Sequence, residues 1–100
     1  MFPSKIHEFV QHLIVQTENG QLIWHYDDEN SVVSTKGTGF SISLIYSFNQ
    51  IEEVGEFSMR YYSEQDGKEY RFYTNQTYND YDIARRLFDT AQSSGISLPF

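Results

Sequence analysis

From Phe40 to Phe48, large apolar side chains recur at every second position (40, 42, 44, 46 and 48), while serine fills 41, 43 and 47. Successive side chains of a strand point to opposite faces. The pattern therefore predicts a β-strand with one apolar side and one small, polar side. The same period of two returns in three other stretches, and a fourth reads as a short strand without it. Gln21–Tyr26 sets Leu22, Trp24 and Tyr26 against Ile23 and His25, and Ser31–Lys36 is a shorter strand around Val32 and Val33. Glu56–Ser63 sets Phe57, Met59 and Tyr61 against Ser58, Arg60 and Tyr62. Glu69–Thr74 sets Tyr70, Phe72 and Thr74 against Glu69, Arg71 and Tyr73. Between these stretches stand Asp27-Asp28-Glu29-Asn30, Gly37-Thr38-Gly39, the longer Asn49–Gly55 connection with Glu52-Glu53, and Asp66-Gly67. These are residues that turn a chain, and Asp-Gly is the strongest hairpin signal among them.

The two ends of the chain carry a different period. Ile6, Phe9, Val10, Leu13 and Ile14 fall at helical spacing, with Lys5, Glu8, Gln11 and His12 facing away. This predicts an amphipathic helix over 4–18, opened by Pro3 with Ser4 as N-cap and stopped by Asn19-Gly20. Ile83, Ala84, Leu87, Phe88 and Ala91 form a second stripe, with Asn79 as its expected N-cap, Asp80 and Asp82 in its first turn, and Gly95 as its stop. The apolar tail Ile96–Phe100 is expected to dock. The order is helix, five strands, helix, joined by reversals too short for parallel crossovers. The expected fold is a two-layer α+β domain spanning 1–100: a five-stranded antiparallel meander with both helices on one face.

Aromatic residues make up 17% of the chain, so the expected core is rich in rings and disorder is disfavoured. The net charge of −7 argues against non-specific attraction to nucleic acid or anionic membrane, and it suits solubility or a basic protein partner. Absence of cysteine removes disulfides, thiol catalysis and cysteine-ligated metals, and it fits a reducing, cytoplasmic setting. No apolar run is long enough for a membrane span, and the N-terminus has no signal-peptide core.

Tests for chemistry come out bare. His7 and His12 fall on different sides of a helix, His25 is on a strand, and HExxH is missing, so no metal site is expected. Asp27, Asp28 and Glu29 crowd one turn without the glycine and glutamate spacing of a calcium loop; they read as a solvated tip or an acidic rim. Gly37-Thr38-Gly39 leads into a strand rather than a helix, which does not suit a phosphate loop. The serines of 41–47 lack a nucleophile motif. No catalytic residue and no cofactor is expected.

One feature is left. If 57/59/61 and 70/72/74 face the helices, then Arg60, Tyr62, Arg71 and Tyr73 face outward on neighbouring strands, with Ile45 and Ile23 beside them. Tyr and Arg are enriched at protein interfaces. The expectation is a non-enzymatic interaction module that binds a protein partner, or a second copy of itself, through this face or the acidic rim. Two alternatives remain: a small-ligand site or minor enzyme near Trp24, His25 and Tyr26, and single-stranded nucleic acid stacked on the Arg/Tyr face.

Overall fold

The alternation along the five central stretches becomes a single antiparallel sheet in the computed structural model, which describes residues 1–96. The strands are β1 (His25–Asp27), β2 (Val32–Gly37), β3 (Phe40–Asn49), β4 (Val54–Ser63) and β5 (Lys68–Asn75), in spatial order β1-β2-β3-β4-β5. Helix α1 (Ser4–Glu18) precedes them and α2 (Tyr81–Ser93) follows. The register pairs apolar with apolar: Val33 opposes Leu44, Leu44 opposes Met59, and Met59 opposes Phe72. One face of the sheet is thereby mainly apolar, with Thr35 and Thr74 as polar members. Ile42, Leu44, Phe57 and Met59 on it are buried with Val10, Leu13 and Ile14 of α1 and Ile83, Leu87 and Phe88 of α2. Each such side chain contributes about 1.5–3 kcal/mol by leaving water.

Rings make the joint between layers. Phe57 lies within 5.3–5.6 Å of the ring centres of Tyr46, Tyr81 and Phe88. Phe9 of α1 meets Phe40 and Tyr61 edge-on at 6.0 and 5.5 Å, an arrangement that ring quadrupoles favour. Gly37 opposes Phe40 in the β2–β3 pair and lies beneath its ring, so any Cβ there would collide with it.

Two polar junctions hold the helices in place. At the β5 edge the carboxylate of Asp80, which is buried, accepts the Phe2 N–H at 2.5 Å and the Thr74 hydroxyl. At the β1 edge the Trp24 indole N–H donates to Thr17 of α1 at 2.9 Å, and the Trp24 backbone N–H donates to the Ser94 hydroxyl at 2.8 Å. Both helices therefore start at β5 and finish at β1, side by side and in the same direction.

Several expected details differ. The first strand was expected from Gln21 but begins at His25, because Gln21 and Leu22 still donate to Gln16 O and close the end of α1. Pro3, not Ser4, occupies the N-cap position of α1, and its carbonyl accepts from Ile6 and His7. Asp80, not Asn79, occupies that position in α2, and its side chain serves the Phe2–Thr74 junction rather than its own helix. The Asn49–Gly55 connection shortens because β3 runs on to Asn49 and β4 starts at Val54; Asn49 Oδ1 accepts from Ile51 and Glu52, and Glu53 takes a left-handed φ of 57°. Phe48, placed on the apolar stripe, is 53% exposed because β2 ends before it and Gly55 opposite offers no side chain. Of the tail expected to dock, Ile96 is exposed and residues 97–100 lie outside the described residues.

Replacing Phe57 with alanine should cost about 3–5 kcal/mol, because the site is closed in by three rings that cannot all collapse into the gap. Urea unfolding checks this as a lowered midpoint; a loss below ~1 kcal/mol would contradict the placement of Phe57 at the centre of the joint. Asp80→Ala should cost about 2–4 kcal/mol in the same assay, since it strands the Thr74 hydroxyl and the Phe2 N–H together.

Candidate interaction face

Alternation places the other half of each strand on the face that no helix covers. The register sorts these side chains into rows across the sheet. Lys36, Ser41, Tyr62 and Glu69 form the first row, and His25, Ser34, Ser43, Arg60 and Arg71 the second. Asp27, Val32, Ile45, Ser58 and Tyr73 form the third, and Ser47, Glu56 and Asn75 the fourth. The serines of β3 keep the middle of the face low, so the longer side chains on β4 and β5 stand proud of it.

The residues picked out from the sequence are partly gathered by this pattern. Arg60 and Arg71 are direct cross-strand neighbours, and Tyr73 sits one row away with Ser58 opposite it. Tyr62 opposes Glu69 and is 42% exposed, and Tyr73 is 40% exposed, so both rings offer area to a partner. Ile45 is half-buried in the row of Tyr73. With Ser58, Arg60, Arg71 and Tyr73 it borders a shallow hollow of about 250 Å³. Asp27 ends β1 on the same face, and Asp28 and Glu29 follow in the exposed β1–β2 turn. Ile23 lies outside the sheet, in the stretch before β1.

Trp24, His25 and Tyr26 do not converge. The Trp24 indole is buried against α1, and the Tyr26 ring packs on Phe88 while its hydroxyl donates to Asp28 at 3.1 Å. His25 points to the opposite face. Among the described residues no three histidine, aspartate or glutamate side chains come together as metal ligands. No helix among them is long and apolar enough to cross a membrane.

Polar contacts tune the outward groups. Arg71 is held by Glu69 at 3.2 Å, while its like-charged neighbour Arg60 forms no ion pair among the described residues. The Tyr73 hydroxyl accepts from the Asn75 amide at 3.0 Å and donates to Glu56 at 3.0 Å. The Asn75 contact favours the phenolate, but partial burial and the Glu56 carboxylate outweigh it and hold the phenol above its ordinary range. In the turn, hydrogen bonding from Asn30 holds the Asp27 carboxyl below its ordinary range.

The strand alternation gives no sign of the molecule's concavities. A cleft of about 450 Å³ opens on the helix side, between the start of α1 and the β4–β5 hairpin, walled by Ile6, Phe9, Tyr61, Tyr70 and Phe72 with Lys5 and Asp66 at its mouth. Ser63 and Tyr70 hydrogen-bond Asp66 and hold its carboxyl low, and Asp66 in turn pushes the Tyr70 phenol up. Only the Tyr61–Tyr70 register makes this wall, and periodicity alone carries no register.

The face and fold define a class: a two-layer α+β protein with a roofed sheet whose other side is bare. Comparison with family models, curated proteins and solved structures yields no match to this chain.

The raised Tyr73 phenol gives a direct check. A group whose folded pKa lies above its unfolded value contributes its stability fully below the ordinary tyrosine range and loses it as pH rises through the raised value. Glu56→Gln removes the carboxylate that accepts from the phenol, so the Tyr73 titration should move down, as followed by ring resonances in an alkaline NMR titration. An unmoved titration would place Glu56 away from Tyr73.

Proposed function

We propose that this chain is a non-enzymatic interaction module that docks a protein through its bare sheet face. The observation that carries the reading is the pairing of exposed Tyr62 and Tyr73 with the adjacent Arg60 and Arg71 over a floor of serines, on a face that no element among the described residues covers. Tyr and Arg supply large contact area with polar tips, the Tyr rings at modest entropic cost, and both are enriched among the side chains that dominate binding energy at interfaces. The acidic tip Asp27-Asp28-Glu29 adjoins the same face and extends the contact as a charged rim. Aromatic rings beside arginines would also receive unpaired bases, but a net charge of −7 opposes a polyanion at long range and favours the protein reading. The cysteine-free composition suits work in the cytoplasm.

A small-ligand reading is favoured by one observation, the ring-walled cleft beneath α1, with a planar apolar molecule as the fitting ligand. It would occupy the helix side and leave the bare face free.

Capture from an extract of the native host tests the interaction reading. Wild-type chain should retain a partner that the Tyr62→Ala/Tyr73→Ala pair loses by at least ~10-fold, since two such anchors are worth more than ~1.4 kcal/mol together. Arg86→Ala, on the exposed side of α2, should leave capture unchanged. Retention that survives loss of both tyrosines would contradict docking through this face.

A further inference from the structure

The bare face is divided along the strand direction. Lys36, Arg60 and Arg71 lie in its first two rows; Asp27 and Glu56 lie in its last two, and the β1–β2 turn continues the acidic end with Asp28 and Glu29. Apart from Glu69, which stands in the first row among them, the cations of the face are kept away from its acids: Arg60 and Glu56 are four residues apart on one strand, roughly 14 Å. Glu69 holds Arg71, but neither Lys36 nor Arg60 forms an ion pair among the described residues. Arg60 also directly opposes Arg71, an opposition of like charges that costs tenths of a kcal/mol to ~1 kcal/mol until an anion approaches.

A surface with this division is complementary to itself. We infer that the occupant of the bare face is a second copy of this chain, laid face to face about a two-fold axis that runs between the two sheets and across their strands. This deepens the interaction reading above and rests on it. The axis reverses the strand direction, so the basic end of each copy meets the acidic end of the other. Lys36 then lies over the partner's Asp28 and Glu29 turn, His25 over the partner's Asp27, and Arg71 over the partner's Tyr73. The other in-plane two-fold, along the strands, would lay basic end on basic end and acidic end on acidic end. Charge therefore selects one of the two isologous arrangements.

The size fits a modest dimer. Five strands at ~4.8 Å spacing and about eight residues at ~3.4 Å give a face of roughly 650 Å², just under the ~800 Å² per partner of a standard interface. Each copy also carries a net charge of −7, which opposes association overall. A small face with opposing net charge suits a weak dimer, with a dissociation constant on the order of 1 μM or above, about −8 kcal/mol or weaker at 1 M standard state.

Sedimentation equilibrium with a charge swap tests the arrangement. Wild-type chain should pass from one-chain to two-chain mass between about 1 μM and 1 mM. Lys36→Glu/Arg60→Glu and Asp28→Lys/Glu29→Lys should each weaken self-association at least ~10-fold, a loss of ~1.4 kcal/mol. All four side chains are exposed, so folding does not depend on them. An equimolar mixture of the two variants should dimerise more tightly than either variant alone, because position 36 of each copy again meets opposite charge in the other copy's β1–β2 turn. Wild-type chain that stays monomeric throughout overturns the second copy as occupant; the interaction reading still stands if tyrosine-dependent capture is seen, and falls with it if not. A dimer indifferent to both swaps, or a mixture that fails to recover, overturns the face-to-face arrangement.

Discussion

The register of β3 against β4 is the constraint on which the rest depends. Leu44 opposes Met59, Ile42 opposes Tyr61 and Tyr46 opposes Phe57, and every residue between these pairs faces the other way. A slip of one residue in either strand would turn that strand's apolar set to water and its serines or arginines to the helices. Across the ten residue pairs of this boundary no odd shift keeps both apolar sets on one side, and an even shift leaves residues at the strand ends without partners. The separation of an oily face from a polar one is therefore decided along these two strands, and β2 and β5 extend it outward.

The helices are committed to the oily face by chemistry at both ends. Asp80 ties the starts of α1 and α2 to Thr74 on β5, and Trp24 ties their ends to the approach to β1. Each junction also buries an aromatic ring, Phe2 at one end and Trp24 at the other, and satisfies polar groups that would otherwise be buried without partners. Between them the aromatic rings fill the space across which the two layers meet. Both helices are pinned to one side, and among the described residues no element covers the other. The bare face is a consequence of the same arrangement that builds the core, and its tyrosines and arginines are presented on strands rather than loops.

Much of this was legible in the residues, for physical reasons that differ from element to element. The period of two in 40–48 and 56–63 and the stripes of the two helices determine type and facing, so the layer arrangement followed. Single-residue features were less legible. The strand start at His25 depends on hydrogen bonds that finish α1, and the position of Asp80 depends on Phe2, some eighty residues away in the chain. The outward placement of Arg60, Tyr62, Arg71 and Tyr73 was readable from alternation, but the direct opposition of the two arginines and the division of the face into basic and acidic ends require the register. The cleft beneath α1 depends on the same long-range pairing and carries no local signal.

The central claim is that one side of the sheet is roofed and the other open, and the chain's lack of cysteine makes thiol labelling the most direct measurement of it. Single cysteines at Arg60 and at Met59, adjacent residues on opposite faces, are exposed to a small alkylating reagent in dilute native protein. The account predicts that the cysteine at 60 reacts nearly as fast as in unfolded chain, while the cysteine at 59 reacts only through unfolding and is slower by several orders of magnitude. Equal rates at the two positions, or the reverse order, would contradict it.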